Sequence, residues 1–396
     1  MNCMDIEEKT PFPGIENIEF LQDDFIWKYS LECGIDSGSI EELLRLRDML
    51  LVKTPFVQLL WEFHDLLYRQ ERPCDEVINK DPKLDTLLGD ALQGVFFYLL
   101  VLSALPLMKR RYEERSWPDS MRLELMQDIA VWNAHHKRNY GTPGINQFFW
   151  FQGHLNLTLI GCGRLQFNTH IRFPGHSTVF RNRLTNQTLV LTDDGDRYTR
   201  EGLLDDLQQE PSEGSWISTF SETEHGWTGN PVLPNGFAKS STLTLPKSEW
   251  YVALQKDDPV INTHIPESGP LVPEECYKSL CRAKEFFKKY LSDYPWKAFF
   301  CDSWLLDPQL TEILENGSSN ILAFQKRCYM IPYPGEADTV FRCFGIKGSR
   351  DGVATVPLRS SLQQKMALFL KAGRRFHYGA GMILKEDMDQ TNPYGA

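Results

Sequence analysis

Ile261-Asn262-Thr263-His264-Ile265, closed by Pro266-Glu267-Ser268-Gly269-Pro270 and followed by Pro273-Glu274-Glu275-Cys276, decides how the second half of this chain folds. The first five residues alternate as a strand does, and the prolines stop it. Pro273 suits a first helical position because its missing N–H would go unbonded there anyway, and two glutamates complement the positive end of a helix. Cys276, Leu280, Ala283, Phe287 and Tyr290 then recur at helical spacing, with Lys288 and Lys289 at the far end. After Asp293 and Pro295, the apolar run Ala298-Phe299-Phe300-Cys301 has the composition of a strand covered on both faces. The stretch predicts one β-α-β unit, and a loop that leads a strand into a helix N-terminus is a common place for a phosphate-bearing ligand.

Around this unit, periodicity divides the chain. From about residue 15 to 160 it reads as helices. Ser39-Ile40-Glu41-Glu42 has a capping-box pattern, and Phe56, Leu59, Leu60, Phe63, Leu66 and Leu67 form an amphipathic stripe behind Pro55. Longer stripes cover Leu84–Tyr112 and Met121–Trp132, Gly141-Thr142-Pro143-Gly144 is a turn, and Phe148–Leu159 fits either a helix or a strand. At Leu165 the period becomes two, with Leu165, Phe167, Thr169, Ile171 and Phe173 on one side. Strand signals continue through Thr188–Thr192 and Ser241–Leu245. Ile321–Met330 and Thr339–Ile346 read as further strands, and Ser361–Leu370 as a closing helix. The expected domains are a helical one over 1–145 and a mixed α/β one over 146–396.

Composition narrows the class. The 396 residues carry a formal charge of −11, which disfavours nucleic acid and anionic membrane as partners. Lys109-Arg110-Arg111 follows an apolar helix and reads as its solvated end. Met1–Thr10 is polar and acidic, unlike a signal peptide, and Val95–Met108 falls short of the roughly 20 residues of a membrane span. Nine scattered cysteines fit a reducing, cytoplasmic setting.

Several chemistries fail on spacing. Gly161-Cys162-Gly163 has Gln166 where a dinucleotide fingerprint needs its third glycine. Cys276 and Cys281 face different ways on a helix, as do His135 and His136, so no metal is expected. Trp216, Trp227, Trp250, Trp296 and Trp304 read as core, with a cleft for a sugar or an acyl group as the other reading. The sharper candidates lie by the β-α-β loop. His264 precedes the loop on the first strand and Asp302 and Ser303 end the second, and carboxyl ends of neighbouring parallel strands converge where ligands bind. Asp307 reads as an N-cap of the next short helix.

With these elements in place, the second half resembles the GNAT superfamily of acyl-CoA-dependent N-acyltransferases. The whole chain resembles a bacterial two-domain group with a helical N-terminal domain and a GNAT-like C-terminal domain. The residues that carry the likeness are Gly163–Phe167, Trp227–Pro231, His264–Pro266 through Gly269–Leu271, Ser303–Leu310, Ser319–Ile321 and Phe324-Gln325. The resemblance implies an α+β fold, and acetyl-CoA or another acyl-CoA as co-substrate. It also implies an unknown amine as acceptor and a pantetheine arm lying between two parted parallel strands. Mapped residue by residue, it assigns cofactor contacts to Ile265, Pro266, Ser268, Gly269 and Leu271, and the proton acceptor to His264 or Asp302 near Ser303. The loop departs from the family's Q/R-x-x-G-x-G/A motif. Pro266, Pro270 and Pro273 have no N–H to offer a phosphate, and Glu267 opposes its charge. The alternative implied by that departure is a non-catalytic binding or scaffolding protein.

Overall fold

The computed structural model describes residues 11–78, 84–205, 210–315, 317–333, 336–346, 350–390 and 393–395; Met1–Thr10 lies outside them. The chain divides into two compact units. One runs to Cys162 and takes in Pro266–Ser268; the other comprises Gly163–Ile265 and the chain from Gly269 onward.

The first unit is helical up to its last residues. Helices span Asp23–Glu32, Ser37–Leu51, Thr54–His64, Leu84–Glu114, Asp119–Tyr140 and Phe148–Leu155, and a short strand follows at Leu159–Cys162. Phe148–Leu159, which fitted either element, thus divides between both. Leu60, Phe63 and Leu67 of the predicted stripe are buried. The capping box does not form at Ser39. The helix starts earlier, and the Asp36 carboxylate accepts the Ser39 amide at 2.9 Å and the Ser39 hydroxyl at 2.7 Å. An ionised acceptor outcompetes a hydroxyl for the same orphan N–H groups. Asp36→Ala should therefore lower stability by about 1 kcal/mol, measured by urea unfolding, and an unchanged midpoint would contradict the cap.

Leu88–Glu114 is long and apolar enough to cross a membrane by length and composition. It outruns the apolar stretch Val95–Met108 because its charged end continues the same helix. Its middle is nonetheless interior, with Val95 to Leu102 almost entirely buried. Arg111 at its end donates to the Leu155 carbonyl at 2.7 Å and pairs with Glu71 at 2.6 Å, so this basic residue is a structural tie. His136 is also structural. Its ring packs where a Cβ on Gly94 or Gly144 would stand, and its Nδ1 lies 2.8 Å from the Thr142 carbonyl.

The core of the second unit lies between two sheets, the larger with a helix on its outer side, and two smaller sheets of three and two strands accompany them. Its strands used below are β1 (Leu165–Arg172), β2 (Ser177–Asn182), β3 (Thr188–Thr192), β4 (Pro231–Val232), β5 (Trp250–Leu254), β6 (Pro259–His264), β7 (Ala298–Ser303), β8 (Tyr329–Tyr333) and β9 (Tyr378–Leu384). Within this unit the larger sheet runs β1-β6-β7-β9-β8, and the second runs β5-β2-β3-β4. Only β6 and β7 among these pairs are parallel. The helix Pro273–Tyr290 joins them, as the β-α-β reading predicts. It buries Cys276, Leu280, Ala283 and Phe287. Phe299 of β7 packs on this side against Trp296 and Phe287, with ring centroids 5.0 and 6.4 Å apart. Val260, Ala298, Phe300, Ile331, Ala380 and Met382 face the other way and share a core with Val179, Val190 and Tyr198. Trp227, Trp250 and Trp296 are buried, in keeping with the core reading.

Three sequence readings are corrected here. Ile321–Met330 is not one strand: Asn320–Gln325 is a helix capped by Ser319, and β8 begins at Tyr329. Thr339–Ile346 is not a strand: its residues through Phe344 belong to the helix Glu336–Phe344, where Val340, Cys343 and Phe344 bury one helical face despite their strand-like composition. The helix Ser361–Lys371 does form, with a complete capping box at Ser360 and Gln363, but it does not close the fold. β9 follows it and lies inside the larger sheet, between β7 and β8.

Candidate active site

The parallel pair parts at its carboxyl end. Its rungs are Val260–Ala298, Ile261–Phe299 and Asn262–Phe300, and there the β6–β7 ladder stops. Both strands continue, held only by their outer neighbours. β6 stays paired with β1 as far as His264–Gln166, and β7 with β9 through Asp302–Ala380 and Ser303–Gly379. His264 and Asp302 therefore each lie two residues beyond the last shared rung, one on either side of the parting.

Alternation along the strands sets which side chains share a face. Asn262, His264 and Asp302 share one with Phe300, on the side of the core between the two sheets. Across the parting, the Asn262 amide Nδ2 donates to Asp302 Oδ1 at 3.2 Å. The amide's other end, Oδ1, is buried with no hydrogen-bond partner. A buried acceptor left unmatched costs on the order of 1–3 kcal/mol, which singles out the Asn262 oxygen at the parting. His264 Nε2 is buried as well. Ser303 alternates to the opposite face, where its hydroxyl accepts the Leu305 amide at 3.2 Å and caps the short turn Trp304–Leu306.

Asp307, read as the N-cap of the next short helix, does not stand at that position but ends the turn Trp304–Leu306. Its fully buried carboxylate accepts the Gln309 amide at 2.9 Å and the His377 amide at 2.8 Å, tying the turn after β7 to the segment that leads into β9. Burial pushes this carboxyl up to about 7. The helix Leu310–Ile313 has Gln309 at its N-cap position, without a side-chain bond.

The loop after β6 divides between the units. Pro266 and Ser268 fall with the helical one, in which Glu267 pairs with Arg138 at 2.9 Å. In the sheet unit, Arg164 donates to the carbonyls of Gly269 and Pro270 at 2.8 and 3.0 Å, and Leu271 is buried. Val272 precedes the helix Pro273–Tyr290 without capping it through a side chain. The amides of Glu274 and Glu275 thus have no partner within the helix.

Two residues that sequence reading passed over adjoin the parted strands. Tyr333, at the end of β8, packs its ring against Phe300 with centroids 6.1 Å apart and against His176 at 6.0 Å. Burial first, and then the charge of Asp302, holds its phenol proton on. His176 Nδ1 lies 3.1 Å from the Asp196 carboxylate, and that hydrogen bond raises the imidazole above its ordinary value. The sequence carried only a faint signal for these groups: Pro174-Gly175 before the histidine and Asp193-Asp194-Gly195-Asp196 read as two turns. Sheet pairing of Ser177 with Thr192 is what brings the turns together.

A parallel pair forking at its carboxyl ends, with a crossover helix on one side and polar side chains at the fork, is the architecture of a GNAT-like domain. The chain belongs to that family: the model of the GNAT-like C-terminal domain matches residues 159–383, and that of the N-acyltransferase N-terminal domain matches 28–157. No curated protein matches. Among solved structures, the chain is similar to a mutant acyltransferase in complex with octanoyl-CoA, at 21% identity and a TM-score of 0.58 over 91% of this chain and 88% of that one. It is also similar to an acyltransferase in complex with decanoyl-CoA and teicoplanin, at 20% identity and a TM-score of 0.52 over 91% and 99%. An acyltransferase in complex with decanoyl-CoA is a further likeness, at 20% identity and a TM-score of 0.54 over 90% and 98%. Identities this low speak for the fold alone.

Proposed function

We propose that this protein is an acyl-CoA-dependent N-acyltransferase, with the acyl-pantetheine arm entering where β6 and β7 part. The observation that carries the reading is the ladder that ends at Asn262–Phe300 while both strands run on. Parting exposes backbone groups of two strands to a guest that is itself an amide-bearing chain. In support, the solved acyltransferases of this fold hold octanoyl-CoA or decanoyl-CoA. Ile265, Gly269 and Leu271 would flank the arm, and the first-turn amides of the helix at Pro273 would face the pyrophosphate.

The chemistry needs no covalent enzyme intermediate. The acceptor nitrogen attacks the thioester carbonyl, a C–N bond forms, and the C–S bond breaks. The amine gives up a proton to a base, and the leaving thiolate takes one from an acid. His264, with Asp302 opposite, is the base in this reading. Asn262 fixes the Asp302 carboxylate through its 3.2 Å bond. Tyr333 keeps its proton until the thiolate forms and is the acid. Ser303 supports the geometry through its cap.

One observation favours a non-catalytic reading: the loop lends the Gly269 and Pro270 carbonyls to Arg164, and its prolines offer no N–H. Calorimetric titration with octanoyl-CoA and acetyl-CoA tests both readings. Micromolar binding that free CoA displaces is expected; absence of binding to either would leave a GNAT-shaped protein without the activity.

A further inference from the structure

From Gly352 to Leu384 the chain carries no aspartate or glutamate, although it holds 53 acids in all and a formal charge of −11. Within that stretch lie five cations: Arg359, Lys365, Lys371, Arg374 and Arg375. Two of them meet carboxylates from outside it. Arg374 pairs with Glu312 at 3.0 Å and Lys365 with Glu315 at 3.7 Å, and the charge of Glu201 also acts on Arg374. Positive charge prevails here on an otherwise acidic protein. Apolar surface accompanies it. Leu368 is 65% exposed on the helix Ser361–Lys371, three residues from Lys365 and three from Lys371 and so on their face. Leu358, just before the helix, is 37% exposed.

This surface is fastened to the carboxyl end of β7. Its helix shares a core with Trp304 and Ile313 of the segment that follows that strand. Arg374 donates to the Gln309 side-chain oxygen at 3.2 Å, and the Gln309 side-chain nitrogen donates to the Arg375 carbonyl at 2.8 Å. The loop after the other parted strand makes a poor phosphate cradle. Pro266, Pro270 and Pro273 have no N–H, and the carbonyls of Gly269 and Pro270 turn to Arg164. Free CoA needs such a cradle for its diphosphate, whereas a carrier protein bears the same arm on a single phosphodiester and docks through its own surface. We infer that the segment Arg359–Arg375 docks an acidic carrier protein, which delivers the acyl thioester on its phosphopantetheine arm to the parting of β6 and β7. This inference rests on the acyltransferase reading and adds the partner that presents the donor. Acyl-CoA shares the arm and the thioester but lacks the docking contact. Opposed charge steers the carrier into place, and Leu368 gives the contact an apolar centre.

The test is calorimetric titration of the full-length protein with octanoylated acyl carrier protein, octanoyl-CoA and octanoyl-pantetheine. The carrier protein is expected to bind at least about tenfold more tightly than octanoyl-pantetheine, an advantage that shrinks as salt rises from about 50 to about 300 mM. Lys365→Glu combined with Lys371→Glu should abolish the advantage. Octanoyl-pantetheine affinity and the thermal midpoint should not change, because exposed ion pairs contribute little to stability. Lys288→Glu combined with Lys289→Glu, a reversal elsewhere on the same unit, should leave carrier binding as it is. Carrier binding no tighter than that of octanoyl-pantetheine, an advantage that survives the first reversal, or an equal loss in the second overturns the docking surface. So does sedimentation with phosphatidylglycerol vesicles while the carrier protein stays unbound, which would make the segment a membrane contact. If the carrier protein binds equally with and without its octanoyl arm and neither small donor binds, the surface stands and the acyltransferase reading falls. If both small donors bind and the carrier protein gains nothing, the docking surface alone falls.

Discussion

Replacing His264 with glutamine is expected to lower the rate of acyl transfer by roughly 10²–10⁴ while leaving the fold and acyl-CoA affinity unchanged. The size follows from the proton the attacking amine must lose. Without a base at the parting, that proton has to leave to water or to Asp302, whose carboxylate is already occupied on one side by Asn262. The fold should tolerate the change because His264 is held through its backbone rung to Gln166 and stands where β6 no longer pairs with β7. Glutamine keeps a polar group of similar length. The assay is thiol release from octanoyl-CoA in the presence of an amine, with calorimetry and thermal unfolding as controls. Unchanged turnover would remove His264 from the mechanism. If Asp302→Asn alone is crippled, the aspartate is the proton acceptor.

The residues that made this site legible in the sequence are those whose roles are local. A strand closed by prolines, a proline at a helix start and a helical stripe each declare themselves within a few positions, which is why the unit from Ile261 to Cys301 reads directly. His264 and Asp302 follow from it, since a β-α-β unit brings two carboxyl ends side by side. His176, Asp196 and Tyr333 were not legible because long-range pairing assembles them: β2 with β3, and β8 with β9. Composition misled at Thr339–Ile346, where apolar and aromatic residues imitate a strand while Val340, Cys343 and Phe344 keep helical spacing. Asp36 outcompeted Ser39 as a cap for an electrostatic reason that a pattern of residue types does not express.

β9 was hidden by its own packing requirement, and that requirement predicts a large stability effect. Tyr378-Gly379-Ala380-Gly381-Met382 looks like a loop because two glycines weaken a strand. Here they are what allows the strand to lie between β7 and β8. A Cβ at Gly379 would run into the Leu306 carbonyl oxygen, a backbone atom of the buried turn after β7, and one at Gly381 would come within 2.7 Å of Cys328 Cβ. Neither neighbour is a flexible side-chain end. Gly379 is also the rung partner of Ser303, so it cannot withdraw without loosening the strand that carries Asp302. Gly379→Ala should therefore destabilise the sheet unit by about 3 kcal/mol or more, and lower transfer activity in what remains folded. Gly381→Ala should cost less, because its added Cβ meets Cys328 at 2.7 Å and not a backbone carbonyl standing in its place. Urea unfolding of both variants checks the order. A Gly379→Ala protein as stable as the parent would show that the turn at Leu306 moves freely, and with it the turn that Asp307 ties to the start of β9.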